Sequence, residues 1–290
     1  MGLSGVKSED GTRRRKGGLI VTFVLVFALV AGVCLLAYPT LSNWWNQRHA
    51  SEVVGTYCQT VASASADALS AARSAADEYN VSLAGMPASY ELSDEDMSKY
   101  ASLLAVDDSG VMGWLSIDRI GVKLPIYHGT SDGVLQMGVG HLPGSSLPIG
   151  GPSTHTVLMG HRGLPSAELL SHLDEMRIGD TFSLSVLDET LYYEVDRIIV
   201  VRPPDVSPLA IAEGEDYCTL VTCTPYGVNS HRLLVRGHRV DAPASVPVGD
   251  EQAEDAGLGA AVLCGLAAVA VVAVVAGIVA VRRRKKARRS

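Results

Sequence analysis

Two long apolar runs fix what the rest of this chain can become. Gly18 to Tyr38 is an uncharged stretch of about 21 residues, close to the ~20 that a helix needs to cross a bilayer. Ala256 to Val281 is a second uncharged run of Ala, Val, Leu and Gly. Arg13 to Lys16 precede the first run and Arg282 to Arg289 follow the second. Loop lysines and arginines stay on the cytoplasmic side, so both termini are expected in the cytoplasm and everything between the spans outside. A cleaved signal peptide is the rival for the first run. Its apolar core is normally ~7–15 residues long, and no Ala-x-Ala site follows here. Asn43-Trp44-Trp45 reads instead as an aromatic anchor at the membrane interface. The segment between the spans must therefore fold as a water-facing domain tethered at both ends.

The charge of that segment narrows its partners. The formal net charge is −7, but half of the 24 basic residues sit in the two tails. The outer region keeps 12 basic residues against 29 acidic ones, a balance of −17. Such a surface argues against nucleic-acid binding. It suits solubility, and it would attract a lysine-bearing partner.

Within the outer region, Gln47 to Asn80 is rich in Ala and Ser, lacks Pro and has one Gly, which predicts a helical stalk. Val81 to Asp108 has weak periodicity and Pro87, and reads as irregular with a short helix near Asp94 to Leu104. Strands are predicted at Met112 to Ile117 and Lys123 to Tyr127 around a turn at Arg119 to Gly121, and at Thr156 to Gly160. Ser166 to Met176 is expected to be a helix, capped by Ser166, with Leu169, Leu170, Leu173 and Met176 on one face and Gly179 at its end. Thr181 to Val186 and Leu191 to Val201 form strands around Asp188-Glu189, and Pro203 to Gly214 is a loop with one helical turn. Many short strands with few helices imply a closed, mostly antiparallel β-barrel.

The chemistry concentrates between Tyr217 and Val240. Thr219-Leu-Val-Thr-Cys223 is a β-type run ending on a cysteine, and Arg232-Leu-Leu-Val-Arg236 is a second beginning on an arginine. A loop with Pro225, Gly227 and Asn229 joins them. Pairing the two runs brings thiol and guanidinium to the same end of the sheet. Thr156-Val-Leu-Met-Gly160 is a third run, and it leads into His161. A thiol needs a base or cation to act as thiolate, and a guanidinium fork suits an oxyanion or carbonyl. Cys223, His161 and Arg232 thus form a candidate acyl-transfer site. Taken alone, Cys223 reads as a buried core cysteine; the His and Arg runs in order turn that reading toward a nucleophile. Cys34 and Cys264 fall in the spans, Cys58 in the stalk, and Cys218 faces away from Cys223 on the same strand. His155 and His161, with His141, His231 and His238, raise zinc as an alternative. No ligand spacing supports it, and neither metal nor cofactor is expected.

The blocks LPIYHGTSDGVLQMGVGHLPGSSLPIGG, HTVLMGHRGLPSAELLSHLDEM and TLVTCTPYGVNSHRLLVRGHR, in that order, resemble the class C, pilus-assembling sortases of Gram-positive surfaces. The resemblance covers roughly Gly113 to Val240. It implies a closed sortase-type barrel of about eight strands with short helices. It also implies Cys223 as nucleophile, His161 as acid and base, and Arg232 as donor to the substrate carbonyl. The implied reaction cleaves an LPxTG-type sorting signal between Thr and Gly and joins the acyl group to a pilin lysine. Alternatives are a wall-anchoring sortase using a peptidoglycan-precursor amine, and a non-catalytic membrane assembly factor. The organisation read from the sequence is a cytoplasmic tail 1–17, a span 18–38, a stalk and possible lid region 39–109, a catalytic domain 110–240, a linker 241–255, a span 256–281 and a basic cytoplasmic tail 282–290. Class C relatives typically carry an Asp-Pro-aromatic lid; this chain has no Asp-Pro dipeptide, and Met86-Pro-Ala-Ser-Tyr90 is its nearest substitute. The lid segment is therefore expected to be mobile or loosely closed.

Overall fold

The computed structural model describes residues 10–86 and 90–242, with Gly265 and Gly277 besides. Apart from those two glycines, the expected second span and its basic tail lie outside the described residues. So do most of the linker and Pro87 to Ser89. Among the described residues, Val26–Ser63 is a helix long and apolar enough to cross a membrane, with mean hydropathy 1.7. Ser42–Pro247 clusters as one compact unit.

That unit is built on eight strands. They are β1 Val111–Ile117, β2 Val122–His128, β3 Val139–His141, β4 Thr154–Met159, β5 Thr181–Val186, β6 Glu189–Val201, β7 Asp216–Thr224 and β8 His231–Val240. They close into a barrel in the order β1-β2-β3-β4-β7-β8-β6-β5. The expected closed barrel is present, but it is mixed. The β2–β3 and β4–β7 seams are parallel and the others antiparallel. Closure leaves no sheet edge exposed. Alternation then sorts each strand: Leu158, Cys218, Leu220, Leu233 and Val235 point into the central core, while their neighbours face outward. Cys218 is fully buried there, as a small apolar residue.

Helices close over the outside. α1 (Asp10–Ser63) and α2 (Ala66–Leu83) break at a turn where Ser65 caps α2 by accepting from the Ala68 N–H. The predicted stalk is therefore no free-standing rod. Ala50, Val54, Tyr57 and Val61 recur at helical spacing and are all buried. The Tyr57 hydroxyl donates to Met112 O at 2.9 Å and accepts from Leu187 N at 2.9 Å. With both roles satisfied the ring stays buried, and burial pushes its pKa up to about 12. From α2, the buried Asn80 amide takes both backbone groups of Leu147: its Nδ2 donates to the carbonyl at 3.1 Å, and its Oδ1 accepts the N–H at 2.7 Å. α3 (Asp94–Ser102) forms where the short helix was expected, with Ser93 as N-cap. A further short helix, α4 (Asp132–Met137), precedes β3. Neither α4 nor β3 was anticipated.

The helix expected over Ser166 to Met176 is absent; only Leu173–Glu175 makes a single 3₁₀ turn. Ala167, Leu169, Leu170, Leu173 and Met176 are nonetheless buried. The apolar pattern was real, but the backbone groups are engaged elsewhere. Leu170 N donates to His161 O at 3.2 Å, Ala167 N to Leu164 O, and Leu169 adopts a φ of 43°. A non-glycine residue in the left-handed region ends any continuous α-helix.

Candidate active site

The β7–β8 hairpin pairs Cys223 directly with Arg232. β4 runs parallel to β7 with Met159 opposite Val221. The pairing continues past β4: Gly160 N donates to Val221 O at 3.0 Å, and the Thr222 hydroxyl donates to Gly160 O at 2.8 Å. The next residue, His161, is thereby carried level with Cys223. Three strand ends thus bring His161, Cys223 and Arg232 to one end of the barrel, and all three are half-buried. Arg232 Nη1 donates to Asn229 O at 3.2 Å and His231 O at 3.1 Å, so the hairpin loop itself aims the guanidinium.

These residues share the outward face of the sheet with Val157, Val221 and Leu234, by alternation along their strands. Those three residues and Leu209 form an apolar cluster, with Met159, Ile199 and Val201 packed against it. Leu209 comes from the β6–β7 loop, whose single 3₁₀ turn spans Ser207–Leu209. The candidate site is therefore a covered apolar cluster that ends in a thiol, an imidazole and a guanidinium. Tyr90 packs on the same cluster, with its hydroxyl donating to Leu209 O at 3.1 Å. Burial raises its pKa. The expectation of a loose segment fails at Tyr90: an aromatic there is anchored without any Asp-Pro dipeptide.

The histidine segment is held from below. A Cβ on Gly160 would lie 2.6 Å from Cδ1 of the buried Leu170, so glycine lets the strand end settle onto that side chain. Gly163 has φ of +77°, and a Cβ there would meet the Tyr226 ring at 3.0 Å. Arg162 escaped the sequence reading. Its Nη2 pairs with Asp174 Oδ2 at 2.6 Å, its Nη1 donates to Thr224 Oγ1 at 3.3 Å, and its Nε is buried without a hydrogen-bond partner. The arginine so ties the His161 segment to the residue after Cys223. Its position beside His161 was the available signal.

Four other histidines have structural partners. His155 is fully buried. Its Nδ1 faces the Ala210 carbonyl at 2.9 Å and its Nε2 the Thr219 hydroxyl at 2.7 Å. A carbonyl only accepts, so Nδ1 carries the proton and Nε2 accepts from Thr219. The same logic gives His141 an Nε2–H donating to Ser146 O at 2.8 Å, with Nδ1 accepting from Tyr100 at 2.9 Å. Burial lowers both to about 4. His128 packs between the Gly110 and Leu103 carbonyls, and His231 contacts Ser230. Arg236 pairs with Asp196 and stacks on Tyr217, a structural role. Among the described residues no three His, Cys, Asp or Glu side chains cluster as metal ligands.

Comparison with known proteins agrees with this fold. Residues 115–240 match the sortase domain family. No curated protein matches the chain. Among solved structures, sortase C1 from Streptococcus agalactiae is 48% identical, with 66% of this chain and 100% of that one covered at a TM-score of 0.65. Sortase C from Streptococcus pneumoniae is 46% identical over 67% of this chain and 100% of that one, at 0.60. Sortase C from Clostridium perfringens is 38% identical over 67% and 100%, at 0.59. The barrel, the ordered blocks and these relatives together make the chain a member of the sortase family, a class C sortase and thus a cysteine transpeptidase.

Proposed function

We propose that this enzyme cleaves an LPxTG-type sorting signal between Thr and Gly and joins the acyl group to a lysine amine of a pilin subunit. The observation that carries this reading is the Cys223–Arg232 pair across β7 and β8, level with His161. The S. pneumoniae relative is described in terms of pilin substrate specificity, and the C. perfringens relative was solved with a C-terminal cell wall sorting motif.

In this reading the apolar residues of the signal lie along Val157, Val221 and Leu234, once Tyr90 has moved off that cluster. The Thr carbonyl then rests at Cys223. The Cys223 thiolate attacks the carbonyl carbon, and Arg232 donates to the oxygen as negative charge develops there. The C–N bond to Gly breaks, and His161 gives its proton to the leaving amine. The product is a thioester on Cys223. The lysine amine next attacks that carbonyl; His161 takes its proton, the C–S bond breaks and the thiolate is regenerated. Every step uses groups of this chain and its two substrates. In the accompanying topology the barrel lies outside the cell between spans 18–38 and 256–281, with both termini cytoplasmic.

Mixing the protein with an LPxTG-bearing pilin, with and without a peptidoglycan-precursor amine, tests the acceptor. Covalent pilin ladders support the lysine. Pilin joined only to the precursor would give the enzyme a wall-anchoring role instead.

A further inference from the structure

The first turns of the compact unit lie against the segment that carries His161. Ser42 Oγ donates to the Ser166 carbonyl at 2.9 Å, and Asn46 Nδ2 donates to the same carbonyl at 2.6 Å. Asn43 Oδ1 accepts from the Glu168 N–H at 3.0 Å. Residues 42, 43 and 46 are half-buried and sit one to two turns before Ala50, at the start of the stripe by which α1 packs on the barrel. Apolar residues continue the stripe over the core. Polar ones stand where it meets a loop with free backbone groups. Those backbone groups belong to the stretch that fails to form a helix, so its donors and acceptors need partners from outside.

The stretch is short and leads directly back to the site. Leu170 N donates to His161 O at 3.2 Å, and Gly163 N donates to Ser171 Oγ at 3.0 Å. The Leu170 side chain fills the space under Gly160. A shift of Ser166 or Glu168 is thus transmitted through fewer than ten residues to the backbone of His161. We infer that Ser42, Asn43 and Asn46 are positioning residues for turnover. They hold the 162–172 loop, and through it His161, in register with Cys223. This rests on the reading of His161 as acid and base.

A pair of isosteric substitutions separates this role from general structural damage. Asn43→Asp keeps an acceptor for the Glu168 N–H. Asn46→Asp replaces the donor to Ser166 O with a second oxygen, which repels the carbonyl. Both add the same charge to the same turn. The full-length protein in detergent, as parent and as each variant, is followed by amide hydrogen exchange across 162–172 and by turnover of a fluorogenic Leu-Pro-Glu-Thr-Gly peptide. A His161→Ala variant is run alongside. Asn46→Asp is expected to raise loop exchange roughly tenfold, equivalent to ~1.4 kcal/mol. It should lower kcat by a similar factor with KM within about twofold, while Asn43→Asp stays near the parent in both. Equal behaviour of the two aspartate variants would overturn the inference, as would unchanged exchange in Asn46→Asp or faster exchange with unchanged kcat. If His161→Ala turns over like the parent, the acid–base reading fails instead, whatever the exchange shows.

Discussion

Gly160→Ala probes how tightly the histidine segment is seated. Gly160 has an ordinary negative-φ backbone, so alanine there meets no backbone strain and only space decides the outcome. The new Cβ would lie 2.6 Å from Cδ1 and 2.7 Å from Cγ of Leu170, and 3.3 Å from Cγ1 of Val139. Comfortable carbon contacts are ~3.5–4.0 Å, so Leu170 must move by about 1 Å. Leu170 and Val139 are fully buried and have little room to give. Overpacking of this kind costs ~1–3 kcal/mol. At roughly 2–4 °C per kcal/mol for a domain of this size, Tm falls by about 2–12 °C. Because Leu170 N also holds His161 O, turnover should fall at temperatures where the variant is still folded. Thermal melting of Ser42–Pro247 and peptide turnover at 25 °C read the two effects. Leu170→Ala alone costs ~2–5 kcal/mol by leaving a cavity. The Gly160→Ala/Leu170→Ala double variant should lose at least ~0.5 kcal/mol less than the sum, because one methyl fills part of the other's void. Strict additivity would refute the argument.

His161→Ala and Arg232→Ala should each lower the rate at least ~10²-fold. Arg232→Lys should recover little, because an ammonium lacks the planar fork; parental activity in Arg232→Lys would remove the directional-donor role. With Cys58 and Cys218 replaced, Tyr90→Ala should speed thiol labelling of Cys223 roughly tenfold or more. The loss of its bond to Leu209 and of its apolar contacts uncovers the cluster beside the thiol; an unchanged labelling rate would show that Tyr90 does not shield the thiol. His141 and His155 have folded pKa values of about 4, below the ~6.5 of the unfolded chain, chiefly because burial opposes their charge. The unfolded chain therefore takes up protons first, and stability falls as pH drops from 6.5 toward 4, by up to ~1.4 kcal/mol per pH unit for each histidine. Urea midpoints at pH 7, 6 and 5 should show this slope, and His155→Gln should remove about half of the histidine part; an unaltered slope would contradict the burial argument.

The pairing behind the candidate site was legible because its logic is local. Alternation and a short loop are enough to pair Cys223 with Arg232, and a strand running into His161 is visible in the residues that precede it. The parallel seam between β4 and β7 was not legible, because its register depends on packing between segments about 60 residues apart. The 166–176 stretch misled for a physical reason. A leucine pattern records which side chains are buried, and a loop wrapped on a core buries them as well as a helix does. The docking of Ser42, Asn43 and Asn46 was hidden too, since polar side chains on a helix read as solvated until their partners are known. Tyr90 anchors its segment with one hydroxyl and one ring, a feature without a motif.

The central claim is that Cys223 carries the acyl group. Incubating the protein with an LPxTG pilin in the absence of added acceptor, then digesting it and measuring masses, tests this directly. The account predicts an acyl adduct on the peptide containing Cys223 that hydroxylamine releases, and no adduct in Cys223→Ala. An adduct on Cys58 or Cys218, or one that survives in Cys223→Ala, would contradict it.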